Sequence, residues 1–166
     1  SSMNIGLQYS YGIRGIVRSG NKLFFASHNY GLSVKYDDTD GCIHIDLGNF
    51  SFQPTSLFVT GPYVYMTTME NSGVFTSTNY GNNWQFADVG LGNYCLSIGT
   101  CGNYLFAGTD MGIYRSTMAG QNWTQMNYGL NYGWIHSIVS TGNTLFIGTF
   151  MGGVFRSSNF GGSWDQ

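Results

Sequence analysis

Charge is what this sequence has least of. Asp, Glu, Lys and Arg together supply 8% of its 166 residues, against roughly 25% in an average globular protein. Six Lys plus Arg face eight Asp plus Glu, for a net charge of −2. Holding a nucleic-acid backbone takes a cluster of cations that displaces counterions. No such cluster occurs, which argues against a nucleic-acid partner. Proline is nearly missing, with 2 residues, and no apolar run approaches the ~20 residues of a membrane helix. Membrane insertion is therefore not expected. No secretory leader is recognisable, and Ser1-Ser2 before Met3 reads as an added dipeptide that leaves open what preceded it.

Paired cysteines are lacking too. Cys42, Cys95 and Cys101 cannot all pair within one chain. The repeat described next puts Cys95 and Cys101 at opposite ends of one strand, about 20 Å apart and beyond disulfide reach. All three read as free thiols, and the compartment stays open. His28, His44 and His136 show no metal-ligand spacing, so neither a metal nor a cofactor is expected.

What the chain does have is apolar and aromatic bulk with glycine. Hydrophobic residues reach 42%, aromatics 17%, and glycines number 25. That profile suits short strands joined by glycine turns. It is also periodic. Three segments share one pattern: Ser77-Thr-Asn-Tyr-Gly81-Asn-Asn-Trp84, Ser116-Thr-Met-Ala-Gly120-Gln-Asn-Trp123 and Ser157-Ser-Asn-Phe-Gly161-Gly-Ser-Trp164. The serines step by 39 and 41 residues. Gly20, Gly61, Gly102 and Gly142 form a second series, stepping by 41, 41 and 40. Four repeats fill the chain, at about 3–46, 47–87, 88–126 and 127–166. Each reads as four strands. In the last, 135–140, 144–149 and 154–158 are the first three strands, and Trp164 opens the fourth. Four-stranded units at this period predict an all-β propeller of four blades.

The Ser-x-Asn-x-Gly-x-x-Trp segments resemble the Asp-box, also called the bacterial neuraminidase repeat, of sialidase-like propeller proteins. The stretch Leu105-Phe-Ala-Gly-Thr109 with Gly112-Ile-Tyr-Arg-Ser116 is similar to that of secreted repeat proteins of this type. The resemblance implies a structural turn between third and fourth strands, built on Ser77, Asn79, Gly81 and Trp84, on Ser116, Gly120 and Trp123, and on Ser157, Asn159, Gly161 and Trp164. It implies that the three tryptophans pack between blades, and it favours an extracellular setting. Asn replaces Asp in two boxes, Met118 replaces it in the third, and Tyr36-Asp-Asp-Thr-Asp-Gly-Cys42 stands where the first box belongs. Read as a calcium loop, that acidic stretch lacks the alternating oxygen ligands and the distant Glu. It reads as a degenerate turn.

Joined end to end, Trp164-Asp-Gln166 and Met3-Asn-Ile-Gly-Leu7 regenerate the repeat. Four blades then either close on themselves or complete a larger ring by self-association. Gly15, Ser56, Ser97 and Ser137, each five residues before a turn glycine, suit a crowded axis.

Propeller partners bind the face formed by the fourth-to-first and second-to-third strand loops. Here those loops carry Tyr9, Tyr11, His28, Tyr30, Phe52, Tyr94, Asp110, Tyr132, Trp134 and Phe150, with several asparagines. Aromatic faces stack on sugar rings or peptide side chains, and amides bind hydroxyls as donor and acceptor. The expectation is a non-catalytic module for carbohydrate or peptide. The alternative is an assembly scaffold whose exposed aromatics make a homo-oligomer. A glycoside hydrolase needs two carboxylates flanking one bond, and only Glu70 and Asp110 occupy similar loops in adjacent repeats. Arg115 and Arg156 sit at equivalent peripheral places, not in a carboxylate-gripping cluster.

Overall fold

The computed structural model describes residues 12–28, 30–48, 53–69, 73–87, 91, 94–117, 119–131 and 133–166. Among these, every regular element is a strand. The first sheet holds β1 (Ile13–Ser19), β2 (Lys22–Ser27), β3 (Gly31–Tyr36) and β4 (Ile43–Ile45). The second holds β5 (Pro54–Thr60), β6 (Tyr63–Thr68), β7 (Val74–Ser77) and β8 (Gln85–Ala87). The third holds β9 (Cys95–Cys101), β10 (Tyr104–Thr109), β11 (Gly112–Thr117) and β12 (Thr124–Gln125). The fourth holds β13 (Ile135–Thr141), β14 (Thr144–Thr149) and β15 (Gly153–Ser157). Each sheet is antiparallel with its strands in sequence order. The fourth strand expected from Trp164 in the last sheet is reduced to one bridge, Arg156 with Asp165.

The glycine series makes the tightest turns. Ser19 pairs with Lys22, leaving Gly20 and Asn21 as a two-residue loop. Gly20, Gly61, Gly102 and Gly142 all have φ between 53° and 60°, a region closed to most side chains.

Side chains alternate across each strand, so every sheet has two apolar faces. In the two interior sheets one face packs on the sheet before and the other on the sheet after. Phe24 and Leu32 of the first sheet meet Val64 and Met66 of the second. Tyr65 and Val74 meet Leu105 and Ala107 of the third. Phe106 and Ile113 meet Leu145 and Ile147 of the fourth. All twelve are between 0% and 1% exposed. Burying one such side chain contributes about 1.5–3 kcal/mol, so these three seams hold the fold together.

The innermost strands pack in series, β1 on β5, β5 on β9 and β9 on β13. Among the described residues no comparable packing joins β13 to β1. Of the two arrangements expected, a ring closed within the chain is not formed among the described residues.

The Ser-x-Asn-x-Gly-x-x-Trp segments are tight turns after the third strand. Ser77 Oγ accepts the Gly81 N–H at 2.8 Å, and Asn79 Oδ1 accepts the Asn83 N–H at 2.9 Å. Ser157 Oγ and Asn159 Oδ1 accept from Gly161 and Ser163, each at 2.9 Å. Where Met118 replaces the Asn, Ser116 Oγ is buried with no partner among the described residues, and the Gly120 N–H donates to the Thr117 carbonyl. The box tryptophans are less uniform than expected. Trp164 is 4% exposed and its Nε1–H donates to the Met126 carbonyl. Trp84 and Trp123 are half-buried at the rims of their seams. The three cysteines are free thiols. Burial pushes the Cys95 thiol far above its ordinary range, and the nearby Asp110 charge adds to the effect.

Candidate functional site

Each innermost strand carries a β-bulge at the same repeat position. Ile13 pairs with Ser27 and Gly15 with Ala26, so Arg14 is the extra residue. The pairing skips Thr55 in β5, Leu96 in β9 and His136 in β13 in the same way. A bulge leaves one residue out of the ladder and re-aims its side chain. Here the four bulged residues line one cavity of about 270 Å³, together with His28, Gln53, Pro54 and Met69. All four sheets contribute, so the cavity lies where the sheets converge.

Small residues beside the bulges let the strands approach. A Cβ at Gly15 would lie 3.1 Å from Leu57. Ser97 Oγ–H donates to the Ile135 carbonyl of the next sheet at 2.8 Å, and Thr55 Oγ1–H donates to the Cys95 carbonyl. The expectation for Gly15 and Ser97 thus acquires a physical content: they sit at close contacts between neighbouring inner strands.

The cavity is chemically uneven. Arg14 is exposed, and no hydrogen bond or ion pair to its side chain occurs among the described residues. His28 and His136 add two imidazoles, Gln53 an amide and Thr55 a hydroxyl, while Leu96 and Met69 are apolar. No carboxylate is among its described lining residues.

An aromatic row leads away from the cavity. The His136 ring lies 6.3 Å from Trp134 at an interplanar angle of 20°, and 5.9 Å from Phe150. Tyr94 continues the row, 5.9 Å from Trp134. Trp134 is 45% exposed and Phe150 66%. Trp134 stands at φ 54°, where a bulky residue costs about 1–3 kcal/mol and which clusters at functional sites. Its N–H donates to the Asp110 carbonyl, and its carbonyl accepts from the Phe150 N–H. Those two bonds hold the indole outward between neighbouring loops.

The structure thus brings His28, Tyr94, Trp134 and Phe150 to one end of the molecule. Tyr30 is exposed there at 42%. Asp110 has a structural task that the sequence did not suggest. Its carboxylate accepts the Tyr94 N–H at 3.0 Å, which fixes the loop carrying the row. Tyr9, Tyr11, Phe52 and Tyr132 lie outside the described residues, as does Glu70. Sequence reasoning missed Arg14, Thr55 and Leu96 as a set. Their signal is positional: each immediately precedes the small residue of its inner strand. Arg115 is also more than peripheral. Its guanidinium lies over the Tyr104 ring and donates to the Phe160 carbonyl of the next sheet.

Among the described residues there is no group of three His, Cys, Asp or Glu placed to hold a metal ion. No helix among them is long and apolar enough to cross a membrane.

No family model matches the chain, and no curated protein matches it. Solved structures do. YCF48 bound to D1 peptide matches with a TM-score of 0.71 at 17% identity, over 94% of this chain and 55% of that one. The computationally designed Ika4 protein matches at 0.73 and 14% identity, over 89% of this chain and 91% of that one. An ancestral GH74 enzyme matches at 0.74 and 18% identity, over 95% of this chain and 25% of that one. At such identities the likeness is one of fold. It defines the class: an all-β, propeller-type repeat protein. The chain spans about half the length of YCF48 and a quarter of the GH74 enzyme.

Proposed function

We propose that this chain is a non-catalytic recognition module. It seats an acidic group of a peptide in the cavity at the inner strands and lays the adjoining residues along the Tyr94–Trp134–Phe150 row. The observation that carries this is the bulge quartet. A cavity whose described lining holds Arg14, His28 and His136 and no carboxylate favours an anion. Arg supplies a planar fork matched to a carboxylate. The exposed aromatics beside it supply apolar contact at low entropic cost. The peptide complex of YCF48, a fold neighbour, supports a peptide over other ligands. The box turns are structural in this reading, in keeping with the Asp-box resemblance.

A second reading is an acidic glycan, favoured by the exposed ring of Trp134. Catalysis has little support: Asp110 is engaged by the Tyr94 backbone, and a glycosidase needs a second carboxylate across from it. Parallel peptide and glycan arrays test the two readings. Capture of acidic peptides, weakened at least tenfold by Arg14→Gln and by Trp134→Ala, is the expected result. Binding insensitive to both substitutions removes this site, and capture of acidic glycans alone favours the second reading.

A further inference from the structure

Among the described residues, each of the two end sheets has one face on which no other sheet packs. We infer that a second copy of this chain docks there, the open face of the fourth sheet of one copy meeting the open face of the first sheet of the other.

The repeat itself shows what is missing. Leu32, Val74 and Ile113 occupy one repeat position and are each 0% exposed, whereas Val154 at that position in the fourth sheet is 61% exposed. Phe24, Tyr65 and Phe106 are also 0% exposed, while their equivalent Phe146 is half-buried. Val17 and Phe58 pack within seams, and their equivalent Val139 is 65% exposed. One sheet therefore presents a complete mating surface that nothing among the described residues covers.

The opposite surface is on the first sheet. In each interior seam the later sheet offers the same inner-strand position: Leu57 at 9%, Ile98 at 5% and half-buried Ile138. The first sheet offers Ile16 there, 56% exposed, with half-buried Leu23 beside it and Phe25, paired with Ile16, at 5%. Docking the two faces repeats a contact that the chain already makes three times.

Charge selects the same partner. Two interior seams are crossed by a cation that reaches the turn of the following sheet. Lys22 Nζ donates to the Tyr80 carbonyl, and Arg115 to the Phe160 carbonyl, each at 3.0 Å. Arg156 holds the position of Arg115 in the fourth sheet. It is exposed, and its side chain has no partner among the described residues. The turn it would reach is that of a first sheet, and there the box is replaced by Asp37, Asp38 and Asp40, all exposed. Arg18 already pairs with Asp37 at 2.5 Å, which leaves Asp38 and Asp40 for Arg156 of the incoming copy. The acidic stretch that fits no calcium loop is thereby accounted for. The contact joins unlike surfaces and is heterologous.

Light scattering after size exclusion, across micromolar to submillimolar chain concentration, tests this. The chain should associate with rising concentration. Val154→Asp should weaken association at least tenfold with an unchanged circular dichroism spectrum. Arg156→Asp, a surface change that leaves the core alone, should weaken it as well. Mixing Arg156→Asp chains with Asp38→Arg chains should restore pairing that neither shows alone. A wild-type monomer at the highest concentration overturns the inference. So does association that survives both Val154→Asp and Arg156→Asp.

Discussion

Phe106 and Phe146 occupy one repeat position on two sheets, and replacing each by alanine isolates what a seam is worth. Phe106 is 0% exposed between the third and fourth sheets. A buried aromatic side chain removes about 200 Å² from water. At ~25 cal/mol/Å² that is about 5 kcal/mol, within the range of about 3–5 kcal/mol measured for Phe→Ala cavities. Phe146 is half-buried with no sheet among the described residues packed on it, so the same substitution should cost about 1–2 kcal/mol when the chain is dilute. Urea unfolding followed by tryptophan fluorescence reads the difference. With a slope near 2 kcal/mol/M, the midpoint should fall by about 2 M for Phe106→Ala and by less than about 1 M for Phe146→Ala. Whole-domain stability is about 5–15 kcal/mol, so Phe106→Ala should leave a foldable protein in the upper part of that range. Equal costs at submicromolar concentration would refute the open face, because Phe146 would then be buried by something within its own chain.

Two further outcomes follow from other parts of the fold. Gly81 has φ 76°, and a Cβ there would collide with the Phe24 ring. Gly81→Ala should therefore lose about 2–4 kcal/mol, from left-handed strain and overpacking together; a neutral result in thermal unfolding would show that the turn can relax away from Phe24. The buried Cys95 thiol is held in its neutral form, with its folded pKa raised above the ordinary 9.0. Its contribution is intact below that value and is lost as pH rises past it, because the unfolded chain then releases a proton that the folded chain keeps, at up to about 1.4 kcal/mol per pH unit. Urea midpoints should fall between about pH 9 and 11, more in the wild type than in Cys95→Ala; parallel curves would show that the thiol carries none of the effect.

Periodicity made the architecture readable. A turn glycine every forty or so residues can only mean one unit repeated, and the unit's strands are set by their alternation. The strands expected at 135–140 and 144–149 are found at Ile135–Thr141 and Thr144–Thr149. The box turns were legible for the same reason, since Ser77 and Asn79 are the hydrogen-bonding residues that the backbone geometry demands. The bulges were not. Arg14, Thr55, Leu96 and His136 share no chemistry, and a bulge is a matter of register between strands, invisible in one strand's composition. The row was half legible: the aromatics stood out, but the left-handed turn aiming Trp134 depends on the Asp110 carbonyl. Sequence left open whether the end faces stay uncovered, because Val154 reads like Val74 until its surroundings are known.

A bulged residue takes no part in the ladder that fixes its strand. Its identity is therefore uncoupled from the pairing that builds the sheet. The four axial positions act as a short variable word set in constant text, one letter per repeat. Exchanging letters among repeats, with Arg14 moved to the site of Leu96 for instance, should turn the cavity's charge about the axis without redrawing any strand. Selectivity in such a scaffold can be composed by permutation.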